Sequence, residues 1–246
     1  MFPIGDAVRT SVRPYVTMLL IAANVAIFFF WQPPTGSADE VAFLYERAAI
    51  GCEITTGEPL TLSEIQTGRC VSDTTSQQQV FPSKSIVGSV LVSMFLHGNL
   101  LHLLGNMWFL WIFGNNVEEA FGHVAYLAVY LGAGILATLG FVALNTGDTT
   151  PLIGASGAIA GVLGAYAVLF PRHPVIALLF FTLLPVPAGL FLLFWFLAQF
   201  AVAEPGVAWE AHVVGFLAGA LVAFVLRGVL LERVRAASRR GRRFSL

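Results

Sequence analysis

The stretch TTPLIGASGAIAGVLGAYAVLFP, residues 149–171, decides the fold. It is uncharged over the roughly 20 residues that a helix needs to cross a bilayer. Five more uncharged runs surround it, at residues 15–31, 86–117, 120–147, 173–203 and 211–226. Between residues 86 and 226 the only formal charges are Glu118, Glu119, Asp148, Arg172, Glu204 and Glu210. Across all 246 residues, 57% are hydrophobic and 11% charged, and the mean hydropathy is +0.79. A soluble domain carries roughly 25% charged residues, so the composition points to a multi-pass membrane protein. In hydrocarbon the backbone must satisfy itself, in helices or a closed barrel, and the alternation of a barrel is absent. The expected fold is an all-α bundle of six transmembrane helices.

Lys and Arg set the orientation. Arg9 and Arg13 precede the first run, Arg172 separates the fourth from the fifth, and Arg227, Arg233, Arg235, Arg239, Arg240, Arg242 and Arg243 follow the last. With six spans these ten lie on one side, against Arg47, Arg69 and Lys84 on the other, which places both termini in the cytoplasm. The expected organisation is a cytoplasmic segment 1–14, a membrane domain 15–231 with an extracytoplasmic loop 32–85, and a basic cytoplasmic tail 232–246. The first run is read as a retained span rather than a signal peptide, because no small-residue cleavage site follows it. The expected location is the inner membrane of a bacterium, with the tail resting on anionic lipid. The net charge of −1 shows no basic bias toward nucleic acid.

Within the loop, residues 39–51 place Val41, Leu44, Tyr45 and Ala48 at helical spacing, as an interfacial amphipathic segment would. Residues 66–79 read as polar and irregular. The loop also holds the chain's two cysteines, Cys52 and Cys70. An oxidising compartment would join them in a disulfide, and otherwise they are two free thiols.

Polar side chains inside apolar runs carry the chemistry, because each costs free energy unless paired. The fourth run opens with Gly154-Ala155-Ser156-Gly157 and continues to Gly161. The sixth opens with Ala211-His212, followed by Gly215 and Gly219. Each set alone has a mundane reading as helix packing or interhelical hydrogen bonding. Together they do more. Gly157 and Gly161 make a side-chain-free face next to Ser156, and Gly215 and Gly219 share the helix face of His212. Two such helices approach closely, which brings a serine hydroxyl to an imidazole able to take its proton. In the second run His102 and Asn106 project from one face, and with the Ser156 amide they supply N–H donors for an oxyanion. No Asp or Glu lies within the core of a run, so a Ser–His dyad is expected rather than a triad.

These residues resemble the rhomboid family of intramembrane serine proteases. The resemblance rests on Gly154-Ala155-Ser156-Gly157, on Ala211-His212 with Gly215, and on His97, His102 and Asn106 in the spacing His-x4-His-x3-Asn, with Val117-Glu118 and Gly122 beyond. It covers the chain from Tyr15 to Arg227. It implies Ser156 as nucleophile, His212 as general base and acid, and His102, Asn106 and the Ser156 amide as oxyanion hole. It assigns His97 to support of the loop, and it sinks the serine at the floor of a wet cavity below the membrane surface. It implies transmembrane protein substrates cut near their extracytoplasmic end, with no cofactor or metal. The absence of His-Glu-x-x-His argues in the same direction. Two departures stand out. Ala160 occupies the position where some members stack an aromatic ring on the catalytic histidine, and Lys84-Ser85-Ile86 replaces a Trp-Arg pair before the second helix. Pro185 and Pro187 are expected to kink the fifth helix, as a lateral gate or a static bend, and residues 203–206 to form a loop capping the cavity. A non-cleaving rhomboid-like binding protein and a transporter are the competing classes.

Overall fold

The computed structural model describes residues 2–8, 10–71, 78–201 and 207–243. Arg9 and the expected loop at 203–206 lie outside them, as do residues 72–77 of the polar segment 66–79. The element order is β1 (Phe2–Asp6), α1 (Tyr15–Phe30), α2 (Ala38–Arg47), β2 (Ala49–Ile50), α3 (Gly51–Thr56), α4 (Leu62–Thr67), α5 (Ile86–Ser93), α6 (Leu100–Phe121), α7 (His123–Leu144), β3 (Pro151–Leu152), α8 (Ser156–Leu169), β4 (Pro174–Leu179), β5 (Thr182–Pro187), α9 (Ala188–Ala201) and α10 (Trp209–Arg243). Helix dominates. By length and composition two helices, His123–Leu144 and Trp209–Arg239, suffice to cross a membrane, and Tyr15–Phe30, Ser156–Leu169 and Ala188–Ala201 are shorter apolar helices.

The centre of the fold is the packing of α7, α8 and α10, where small residues let backbones approach. A Cβ built on Gly161 or Gly157 of α8 would collide with Ala133 or Ala137 of α7, and one on Gly215 or Gly219 of α10 with the carbonyls of Gly157 and Gly161. The pairing of Gly157 with Gly215 and of Gly161 with Gly219 runs α8 and α10 in the same direction. The buried side chains of Phe113, Tyr126, Tyr130, Leu163 and Tyr166 fill the space between these helices and α6.

Helix ends are served by side chains of other elements. No side chain of its own caps α1. The Glu118 carboxylate of α6 instead accepts from the N–H groups of Val16 at 2.9 Å and Thr17 at 2.8 Å, an anion where the helix dipole favours one. At the same end of α6 Arg233 donates to the Phe121 carbonyl at 2.8 Å, satisfying an orphan of the α6 C-terminus. The tail expected as a separate segment therefore begins as a continuation of α10.

Three expectations need correction. The second run is two helices, because the chain turns between Ser93 and Leu100 and α6 starts afresh on an Asn99 N-cap that accepts from the His102 N–H at 2.8 Å. The amphipathic segment of the loop ends as a helix at Arg47, and Ala48–Ile50 is buried and extended. The largest change is in the fifth run, whose first half is a β-hairpin and not a helix kinked at Pro185 and Pro187. The molecule thus is not all-α: β1, β4 and β5 form a sheet in the order β1-β4-β5, and β2 pairs with β3.

The prolines suit the hairpin. Leu179 and Thr182 close its two-residue turn, in which Phe180 and Phe181 take positive φ of 44° and 69°, the signs that a primed hairpin turn requires. Alternation of the ladder from that closing pair directs the backbone groups of Leu183, Pro185 and Pro187 away from β4. Two of the three outward positions therefore have no N–H to leave unpaired, which suits proline to an edge strand. On the other side β1 pairs with β4 and lies along α6, where the Trp108 indole donates to the Pro3 carbonyl at 2.7 Å.

Candidate active site

Gly154 turns the chain into α8 with a φ of +124°, a conformation open to glycine. Its N–H donates to the Ser93 carbonyl at 2.9 Å, so the turn is tied to the end of α5. Ser156 follows as the first residue of α8, where backbone N–H groups have no intrahelical partner. On the neighbouring α10, His212 lies one turn into the helix. Its Nε2 is 2.8 Å from Ser156 Oγ, the contact that the paired glycine faces permit.

His102 and Asn106 come to the same place from α6. Both line, with Ser156 and His212, a cavity of about 430 Å³ bounded by Gly154 and Trp195. His102 Nδ1 accepts from the Gly98 N–H at 3.4 Å, which leaves its Nε2 to carry the proton. That nitrogen is so close to Gly154 that a Cβ there would stand 2.9 Å from it. Asn106 is 8% exposed, and its Nδ2 has no hydrogen-bond partner among the described residues. Both side chains thus line the cavity that also holds Ser156.

His97 stands apart from this group. It is fully buried and its ring centroid is 5.1 Å from that of His102. Its backbone is clasped by Gln32, which accepts from the His97 N–H at 3.1 Å and donates to its carbonyl at 2.5 Å, while Gln32 Nε2 also reaches Glu40 at 3.2 Å. That clasp ties the start of the large loop to the turn between α5 and α6. The loop has two further ties. The Cys52 and Cys70 sulfurs are bonded, with Cα atoms 5.6 Å apart. Lys84 forms a buried ion pair with Glu53 and donates to the Tyr45 carbonyl at 2.7 Å. Burial pushes the Glu53 carboxyl up and the Lys84 ammonium down. Lys84, which stands where the expected Trp-Arg pair is missing, thereby anchors the loop by another route. Among the described residues the one cluster with metal-like spacing is Cys52, Glu64 and Cys70, and its thiols are occupied with each other.

Two residues escaped the sequence reading. With Ala160 in place of an aromatic ring, the His212 imidazole is flanked from α9, by the Trp195 ring with centroids 6.1 Å apart and by Gln199, whose Oε1 is 2.8 Å from His212 Nδ1. A signal was available, since Gln199 is the lone amide in the run 173–203. Glu210 is turned elsewhere and accepts from Asn145 at 3.3 Å.

The model of the Rhomboid domain matches residues 85–229, more than half of the chain and every residue of this cavity. The chain belongs to the rhomboid family. Among its relatives is the mitochondrial presenilin-associated rhomboid-like protein of Mus musculus, 35% identical over 172 residues, which cover 69% of this chain and 37% of that one. Rhomboid protein 1, mitochondrial, of Saccharomyces cerevisiae is 31% identical over 166 residues, 63% of this chain and 47% of the yeast protein. The rhomboid protease GluP of Bacillus subtilis is 30% identical over 159 residues, 65% of this chain and 25% of that protein. This rhomboid therefore spans about a third of the length of the presenilin-associated relatives it matches. Relatives named as mitochondrial stand beside the bacterial one, so the similarity does not single out the bacterial inner membrane expected from the sequence.

Proposed function

We propose that this rhomboid is an intramembrane serine protease that cleaves single-span membrane proteins in or near their transmembrane segments. In this reading α1, α6, α7, α8, α9 and α10 cross the bilayer, and both termini are cytoplasmic. The single observation that carries it is the 2.8 Å contact between Ser156 Oγ and His212 Nε2 at the wall of the 430 Å³ cavity. A serine hydroxyl is a weak nucleophile until a base takes its proton, and hydrolysis inside a membrane requires a space that admits water.

The chemistry follows from the donor set. Ser156 Oγ attacks the scissile carbonyl carbon while its proton passes to His212 Nε2. In this reading the carbonyl oxygen becomes an oxyanion that accepts from the His102 Nε2–H, the Asn106 amide and the Ser156 backbone N–H. Loss of one such donor costs roughly 3–4 kcal/mol of transition-state stabilisation. His212 then returns the proton to the departing amine, leaving an acyl group on Ser156. Water enters through the same base, and the ester is hydrolysed. Carbonyls in a regular substrate helix are already hydrogen-bonded, so segments that unwind easily are the expected substrates.

Co-expression with tagged single-span reporters tests the reading. Cleavage by the wild type but not by Ser156→Ala or His212→Ala is the expected result. Identical processing by all three would overturn it, and binding without cleavage by the wild type would move this chain to the non-cleaving members of the fold.

A further inference from the structure

We propose that Gln199 is a positioning residue of this reaction, holding His212 in the tautomer that can accept the serine proton. The proposal rests on the reading of Ser156 and His212 as nucleophile and base. His212 Nδ1 lies 2.8 Å from Gln199 Oε1, and the other ring nitrogen lies 2.8 Å from Ser156 Oγ. An amide can be turned around, and its orientation must be decided by its other contacts. Here Gln199 Nε2 donates to the Trp195 carbonyl one turn back on α9, at 3.0 Å. The reversed amide would set two oxygens against each other at that distance and would aim an NH2 group at His212.

With the oxygen facing the ring, only one arrangement of the imidazole proton makes a hydrogen bond. An amide oxygen accepts and cannot donate, so Nδ1 must carry the proton. Neutral imidazole has one proton, and Nε2 is then a bare lone pair toward Ser156 Oγ, the state a general base needs. The opposite tautomer would donate to Oγ and could take nothing from it. Carboxylates commonly fill this role, but Glu210, two residues before His212, accepts from Asn145. The orienting acceptor comes from a third helix, so the dyad is fully set only when α9 is seated against α8 and α10.

The first readout needs no variant. In protein labelled with 15N at histidine, His212 should show a protonated Nδ1 and an unprotonated Nε2, and a protonated Nε2 in the neutral ring would overturn the proposal. In the Gln199→Met variant the tautomer signal should move toward a mixture. Its kcat on a cleavable reporter should fall on the order of 10- to 100-fold, below the ~10⁴ of a neighbour that enforces the wrong tautomer. KM should change less than about twofold, because no contact with substrate is removed. Gln199→Glu, which keeps an acceptor oxygen, should recover kcat to within a few-fold. Wild-type kcat and an unchanged tautomer in Gln199→Met would refute the assignment while leaving the dyad intact. A wild-type protein that cuts no reporter would instead remove the dyad's role, and the tautomer measurement would still judge Gln199.

Discussion

Adding one methyl group at Gly215 should disable this protein while leaving it folded. Gly215 lies one turn beyond His212 on α10. A Cβ built there would stand 3.0 Å from the Gly157 carbonyl carbon and closer still to its oxygen, with Ala137 at 3.5 Å on the other side. Carbon atoms in contact prefer about 3.5–4.0 Å, so α10 must retreat from α8 by on the order of 1 Å. The stability cost of such overpacking is about 1–3 kcal/mol. The cost in rate is larger, because the same retreat stretches the 2.8 Å contact between Ser156 and His212, and 1 Å of misplacement can remove about 10²-fold. Gly228→Ala is the internal control. It lies on the same helix with nothing within 4 Å of its added Cβ, and it should gain about 1 kcal/mol from helix propensity. Reporter cleavage and denaturant unfolding in the same detergent measure both quantities. A Gly215→Ala variant as active as Gly228→Ala would refute the argument that backbone contact sets the distance between nucleophile and base.

Further outcomes are expected outside the bundle. Cys52→Ser with Cys70→Ser opens a bridge with a sequence separation of 18 and should cost about 3 kcal/mol in unfolding experiments, with reduction of the wild type giving the same loss. Lys84→Met strands the Glu53 carboxylate in the buried pair and should cost about 3–5 kcal/mol, while the double variant with Glu53→Gln should recover most of it. His173, stacked on Phe170 with centroids 4.6 Å apart, has its pKa lowered by burial. A depressed histidine contributes stability that is present above its unfolded pKa and is lost as pH falls through the folded one. Stability should therefore drop as pH falls below about 6.5, and His173→Gln should flatten that profile in pH-resolved unfolding.

Much of the site was legible because membrane sequences penalise unpaired polar groups. Ser156, His212, His102 and Asn106 stood out against apolar surroundings, and Gly157, Gly161, Gly215 and Gly219 showed which helix faces could approach. The hairpin was not legible. Residues 173–203 carry no charge and are mostly apolar, and an apolar run without alternation fits a buried strand as well as a helix. Pro185 and Pro187 remove backbone donors in either structure. Only the pairing of β4 with β1, some 170 residues away in sequence, decides between them. The role of Gln199 is hidden for a related reason. One amide in an apolar run looks like interhelical glue until its partner is known, and that partner lies across an interface that no local pattern encodes. The break at Asn99 was readable in principle, since Asn is a strong N-cap, but continuous hydropathy on both sides hid it.

The central claim is that His212 makes Ser156 a nucleophile, and covalent trapping tests it most directly. A fluorophosphonate carrying a reporter tag should modify the folded wild type, with mass spectrometry locating the adduct on Ser156. His212→Ala, shown to be folded by its unfolding transition, should react at least 10²-fold more slowly. Equal labelling of the two proteins, or an adduct on a different residue, would contradict the account.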